Sequence, residues 1–389
     1  MSELARQYPH IAFRRHWELT ADAWRIIGEC KAYAEAITNT PILPHYYDEL
    51  MKVSLLKGAQ STTAIEGNTL SDEEIERVIA GEDLPPSQGY QQREVKNVVD
   101  ALNSILFDVL DGQANKLISK ELILTFHQLI GKNLGETFAA IPGKFRNNEV
   151  IVNRYRCPDH RDVEPLIDKL CAWMQDEFAF GKKRQAFHNV LIQAIVCHVY
   201  LEWIHPFSDG NGRTGRLLEF YILIRGGNPD IASHILSNYY NQTRPQYYYY
   251  LDKAAKDESL TSFIEYALVG YRDGLQGKLK EIQNSQFENT WQRHVYDTFD
   301  NLKNTKRNVV FRRQRRLALN LPLKKEFSAE EVGEISIPLA KLYGGISLKT
   351  IQRDLNKLEQ IELIKREGKR YHTNTLNISR MMAKQNKII

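Results

Sequence analysis

Apolar residues recur at intervals of three and four along nearly the whole chain and alternate almost nowhere, a pattern that selects amphipathic helices over sheets. The fold class this predicts is mainly α. The spacing predicts helices over 17–38 and 46–65, separated by the Pro41 to Pro44 break. Ser71 is placed to cap a further helix whose first turn carries Asp72, Glu73 and Glu74 against the positive end of its dipole. A linker with two prolines at 81–89 precedes helices at 91–110 and 119–135. More follow at 162–179, 186–204, 213–225, 246–256 and 260–301. Between them, Val150, Ile151 and Val152 are β-branched neighbours beside Asn147 and Asn148, which predicts a short hairpin over 144–153 that turns at the two asparagines.

The last part of the chain reads differently. A short helix at 337–342, a Gly344-Gly345 turn and a second helix capped by Ser347, with Ile351, Leu355 and Leu358 on one face, are followed by a hairpin pattern turning at Glu367-Gly368. That order predicts a winged helix-turn-helix domain. The expected domains are 1–110, an N-terminal helical region; 111–275, a core; and 276–389, a linker helix with the winged domain.

Charge follows the same division. Residues 301–389 hold 20 Lys and Arg against 8 Asp and Glu, whereas the whole 389-residue chain carries a net charge of only +4. The basic end is where a polyanion such as DNA would bind, with Lys349, Arg353 and Lys357 on the polar side of the second helix. With 42% hydrophobic residues, 26% charged residues and a mean hydropathy of -0.45, disorder and membrane-embedded classes are disfavoured. The longest apolar stretch, 191–204, is interrupted by Gln193, His198 and Glu202 and reads as a buried helix, with Cys197, His198 and Trp203 as core residues and His188 beside them. No signal-peptide core opens the sequence, so a cytoplasmic protein without membrane contact is expected. The four cysteines, Cys30, Cys157, Cys171 and Cys197, lack the short spacing of metal or redox motifs.

The chemistry concentrates in His205-Pro-Phe-Ser-Asp-Gly-Asn-Gly-Arg-Thr-Gly-Arg216. Gly210 and Gly212 allow close backbone approach to a ligand, and the helix start that follows offers free N–H groups to an anion. Asn211 adds a neutral donor. Arg213 and Arg216, three apart, share a helical face and suit successive phosphates. Asp209 is a hard oxygen ligand suited to Mg2+, His205 a base for neutral pH, and Phe207 an inward anchor.

These residues match, without a departure, the signature HxFx[DE]GNGRxxR, and the chain resembles the Fic family over roughly residues 10–270. The resemblance implies a protein adenylyltransferase that moves AMP from ATP to a Tyr, Thr or Ser hydroxyl of a target protein, with ATP and Mg2+ as its cofactors. His205 would be the general base, Asp209 the Mg2+ ligand, and Gly210, Asn211, Gly212, Arg213, Thr214, Gly215 and Arg216 the nucleotide cradle. Thr62-Thr-Ala-Ile-Glu66-Gly67 matches the inhibitory motif [ST]xxxE[GN] of related proteins. Thr62 and Glu66 would share a helical face, and Glu66 would pair with Arg216, the arginine required by the γ-phosphate. The 143–153 hairpin corresponds to the family's flap, with Val150, Ile151, Val152 and Asn153 along nucleotide and target. Tyr247 and Tyr248 are the candidates for the adenine pocket. Family behaviour further implies a homodimer.

Two other readings fit the same residues. One is a DNA-binding regulator whose nucleotide site is a sensor; the other is an enzyme that removes AMP or uses a different donor such as UMP or phosphocholine. Gly212-Arg213 argues against kinase-type relatives, in which lysine replaces that glycine.

Overall fold

The computed structural model describes residues 7–110, 117–152, 154–178, 186–302, 309–376 and 378. The chain forms two compact units, Met1–Leu279 and Lys280–Ile389. It is mainly helical, as the periodicity requires.

The first unit contains α1 (Ala21–Asn39), α2 (Pro44–Ala64), α3 (Asp72–Ile79), α4 (Gly89–Leu110), α5 (Lys120–Ile130), α6 (His160–Glu177), α7 (Phe187–Ile204), α8 (Asn211–Arg225), α9 (Ile235–Gln242) and α10 (Arg244–Lys256). Local chemistry sets several of their starts. The Thr20 hydroxyl accepts from the Ala23 amide and Pro44 opens α2. Ser71 and Glu74 close a reciprocal capping box on α3, an arrangement worth roughly 1 kcal/mol.

Two helices make the centre. Every residue from Val190 to Leu201 of α7 and from Asn211 to Ile224 of α8 is buried, so these helices are enclosed on all sides. α7 is long and apolar enough to cross a membrane, but it is packed within the unit, as the interrupted apolar stretch indicated. Cys197, His198 and Trp203 are core residues, while His188 is only half-buried against the edge of Trp24. α2, α4 and α5 all pack on α8, and α9 packs on α2. The segment joining α7 to α8, residues 205–210, is therefore held between buried helices, and it contains the motif.

The hairpin differs from its sequence reading. β1 (Ile151–Val152) pairs antiparallel with β2 (Tyr155–Arg156), Val152 opposite Tyr155, so the turn does not fall at Asn147-Asn148. That segment is instead anchored to the motif loop: the Arg146 amide donates to the Pro206 carbonyl, and its guanidinium donates to the carbonyls of His205, Asn148 and Pro158. Ser208 donates to the Asn148 side chain at 2.8 Å. Asn153 lies outside the described residues.

The chain passes from one unit to the other within α11 (Thr261–Asp300). The second unit then holds α12 (Val309–Asn320), β3 (Phe327–Ser328), α13 (Ile337–Tyr343), α14 (Leu348–Gln360), β4 (Ile364–Glu367) and β5 (Arg370–Thr373). Its sheet has the order β3-β5-β4. Trp291, Phe299, Phe311, Leu339, Leu355 and Tyr371 are among the side chains of its own core. The two helices and hairpin expected at this end are present; α12 and β3 were not anticipated.

Candidate active site

α7 ends because His205 adopts left-handed backbone geometry, φ 50°, and α8 begins after Gly210 at φ 81°. Glycine suits the second position doubly, since a Cβ there would lie 2.7 Å from Ile130 Cδ1. The first internal bond of α8 is from the Thr214 amide to the Gly210 carbonyl, so the N–H groups of Asn211, Gly212 and Arg213 have no partner within their helix. They form the positive end of a buried helix.

That end already faces an anion. Glu66 Oε1 accepts from Arg216 Nη2 at 2.5 Å, and a Cβ on Gly212 would stand 2.1 Å from the same oxygen. The Thr62 carbonyl accepts from the same guanidinium nitrogen at 3.0 Å. Glu66 sits just beyond the end of α2, in a turn closed by its amide to the Thr63 carbonyl, so it does not share a regular helical face with Thr62. Thr62 acts through its backbone. Gly67, at φ 102°, lets the chain leave that turn. Burial alone would raise the pKa of Glu66, but Arg216, Arg213 and His205 together hold it below the ordinary carboxylate value.

The remaining motif residues divide by role. Arg213 does not extend freely beside Arg216: it forms a buried ion pair with Glu94 and a 2.6 Å bond to Asp209 Oδ1. Asn211 is not a free donor either, because its side chain both accepts from and donates to the backbone of Phe207, each at 2.8 Å. It shapes the loop. Thr214 returns its hydroxyl to the Gly210 carbonyl, and Gly215 gives α8 room against His198 of α7.

His205 Nδ1 lies 3.3 Å from the Glu202 carbonyl. A carbonyl only accepts, so Nδ1 carries the proton and Nε2 keeps its lone pair. Burial pushes the imidazole pKa down to about 4, so the ring is neutral at pH 7.

Three functional neighbours escaped the sequence reading. His127 donates from Nε2 to the Asp209 carbonyl and accepts at Nδ1 from the Gly143 amide, while its ring stacks on Phe207 with centroids 3.6 Å apart. Arg146 ties the hairpin approach to the loop. Glu94 pairs with Arg213. Each lies far from the motif in sequence and carries no local signal of its role.

Beside the loop is a cavity of about 750 Å³, whose walls include Val152, Tyr155, Glu202, Trp203, Tyr248 and Leu251. The hairpin is held over it because the Tyr155 hydroxyl donates to the Trp203 carbonyl. Val152 and Tyr248 meet here, whereas Ile151 points to solvent at 66% exposure and Val150 lies at the start of the hairpin. Tyr247 is not part of this wall. It is 1% exposed, with its hydroxyl 3.1 Å from His198 Nε2 and its ring packed on Tyr240, because consecutive helical positions point about 100° apart.

Fold and loop thus define a helical domain with a buried anion cradle, a base and an adjoining cavity. Residues 117–223 match the Fic/DOC family. The chain is 28% identical over 194 residues to the protein adenylyltransferase Fic of Nematostella vectensis, covering 50% of this chain and 42% of that protein. It is 30% identical over 208 residues to the protein adenylyltransferase fic-1 of Caenorhabditis briggsae, covering 53% and 37%. It therefore spans about two fifths of the length of these relatives. In fold it is similar to a Fic family protein from Desulfovibrio desulfuricans, with TM-score 0.54 and 20% identity over 92% of this chain and 98% of that one. Residues 134–508 of Fic-1 from C. elegans give TM-score 0.56 and 23% identity over 72% and 76%.

Proposed function

We propose that this protein is an adenylyltransferase that moves AMP from ATP to a hydroxyl of a target protein and is restrained by its own Glu66. The reading is carried by the seat of the Glu66 carboxylate, an anion against Arg216 where the terminal phosphate of a bound nucleotide would lie. Names of the relatives support the reaction class.

The residues divide the work. The adjoining cavity takes the nucleoside against Tyr248 and Val152, and the amides of Gly212 and Arg213 with Arg216 take the phosphates. His205 Nε2 accepts the proton of a Ser, Thr or Tyr hydroxyl, whose oxygen bonds to the α-phosphorus as the bond to pyrophosphate breaks. Asp209 fits a Mg2+ ligand: one oxygen is held by Arg213, and the other receives only a 3.4 Å contact from the Ala139 amide. The ion would neutralise phosphate charge there. Target backbone would pair with the exposed edge of the hairpin.

Transfer of label from ATP carrying it at the α-phosphate tests the reading, using wild type, Glu66→Gly, and Glu66→Gly with His205→Ala. Strong labelling of a protein by the single variant alone is the expected result. No labelling by any of the three while Mg-ATP still binds would overturn it in favour of another donor or a sensor role.

A further inference from the structure

The second unit presents a face that nothing in the nucleotide chemistry uses. α14 buries Ile351, Asp354, Leu355 and Leu358 and exposes Lys349, Gln352, Arg353 and Asn356, spaced three, four and seven apart on one stripe. Neither Lys349 nor Arg353 forms an ion pair or hydrogen bond with another described residue. Exposed cations elsewhere, such as Arg25 and Lys256, do pair with acids on their own helices.

The acid that would neutralise this stripe is turned inward. Asp354 is 1% exposed and accepts from Arg313 Nε at 2.6 Å, Gln314 Nε2 at 2.9 Å and the Tyr343 hydroxyl at 3.0 Å. One carboxylate therefore fastens α12, α13 and α14 together and is removed from the outer face. Glu359, near the C-terminal end, is the acid left exposed on α14. Beside the helix, the β4–β5 hairpin turns at Gly368, φ 63°, and exposes Lys365, Arg366, Lys369 and Arg370.

We propose that the Lys280–Ile389 unit binds double-stranded DNA, with α14 presenting Lys349, Gln352, Arg353 and Asn356 to the major groove and the hairpin lysines resting on phosphates. The chemistry selects this partner. Arginine and lysine match guanine edges, and glutamine and asparagine match adenine edges, in a groove wide enough for a helix. The deep, narrow major groove of duplex RNA does not admit one. An acidic protein would answer the cations and leave the two amides without a role.

The full chain is titrated into a fluorescent random-sequence duplex of about three helical turns, and anisotropy is read across a salt series. Binding that weakens linearly with log salt is expected, with a loss of roughly tenfold or more in Lys349→Ala/Arg353→Ala. Lys365→Ala/Lys369→Ala should flatten the salt slope by about one to two. Both double variants should keep the thermal unfolding midpoint of the parent. No binding at low salt, unchanged affinity in the α14 variant with folding intact, or equal competition by duplex RNA would each overturn the proposal. The last would point to charge without groove reading.

Discussion

Glu94 and Arg213 form an ion pair sealed from solvent, with side chains 6% and 3% exposed. The second Glu94 oxygen accepts from Asn68 Nδ2 at 2.8 Å, two residues beyond Glu66. A single carboxylate therefore joins the cradle's arginine to the segment that carries Glu66. Glu94→Ala leaves a buried guanidinium short of a partner, and a loss of about 3–5 kcal/mol in chemical denaturation is expected. Glu94→Gln should lose less stability yet raise basal AMP transfer, because the Asn68 anchor weakens; unchanged transfer in a folded Glu94→Gln protein would separate anchor from restraint.

The two tyrosines should behave oppositely. Tyr248→Ala removes an aromatic wall of the cavity and should raise KM for ATP roughly tenfold in the Glu66→Gly background. Tyr247→Phe removes the partner of His198 Nε2, so stability should fall by about 1 kcal/mol with KM unchanged. Reversed effects on KM would place the base against the other ring.

A buried neutral base gives a particular acid limb. Since burial lowers the His205 pKa to about 4, kcat/KM of Glu66→Gly should stay level between about pH 6 and 8 and fall below about pH 5. Removing Glu66 also removes a charge that favours the imidazolium, which moves the limb lower still. A limb near pH 6.5 would mean that the ring is solvated when it reacts.

Stability should pass through a maximum in mildly acidic solution. His127, His198 and His234 are fully or nearly fully buried, and burial lowers their pKa values to about 4, 3 and 3. The unfolded chain takes up protons there first, so their contribution is complete above pH 6.5 and is lost as pH falls towards 4. Glu219 has the opposite sign. Burial raises its pKa to about 8 despite the Tyr240 hydroxyl donating to it, so its protonated form favours folding and this contribution is lost as pH rises through 8. Unfolding free energy measured by denaturant should decline from about pH 6.5 to 8, at up to about 1.4 kcal/mol per pH unit from this group, and Glu219→Gln should flatten that limb.

The helices were legible because a period of three to four survives in one dimension, and the loop was legible because its residues are contiguous. Glu66 was found the same way, through a short local pattern. The hairpin turns after Val152 rather than at Asn147-Asn148, whose turn chemistry is outweighed by Arg146 bonding the carbonyls of His205 and Pro158. Glu94 and His127 act on residues 119 and 82 positions away, and no local pattern records a contact of that kind. The Asn211 amide is contiguous with the loop, yet the chemistry of an amide does not reveal that it binds the Phe207 backbone.

Glu66 and Arg216 belong to one polypeptide, so the contact between them is a first-order equilibrium with no concentration in its expression. Dilution within a single folded molecule leaves the occupied fraction unchanged. Under the proposed function, a nucleotide whose terminal phosphate needs that guanidinium would have to displace a tethered carboxylate, a competitor whose local concentration is set by the fold. On that reading, occupancy of the cavity and alignment of the phosphates would be separate events, and the spacing between them in free energy would be written into the short turn that ends α2.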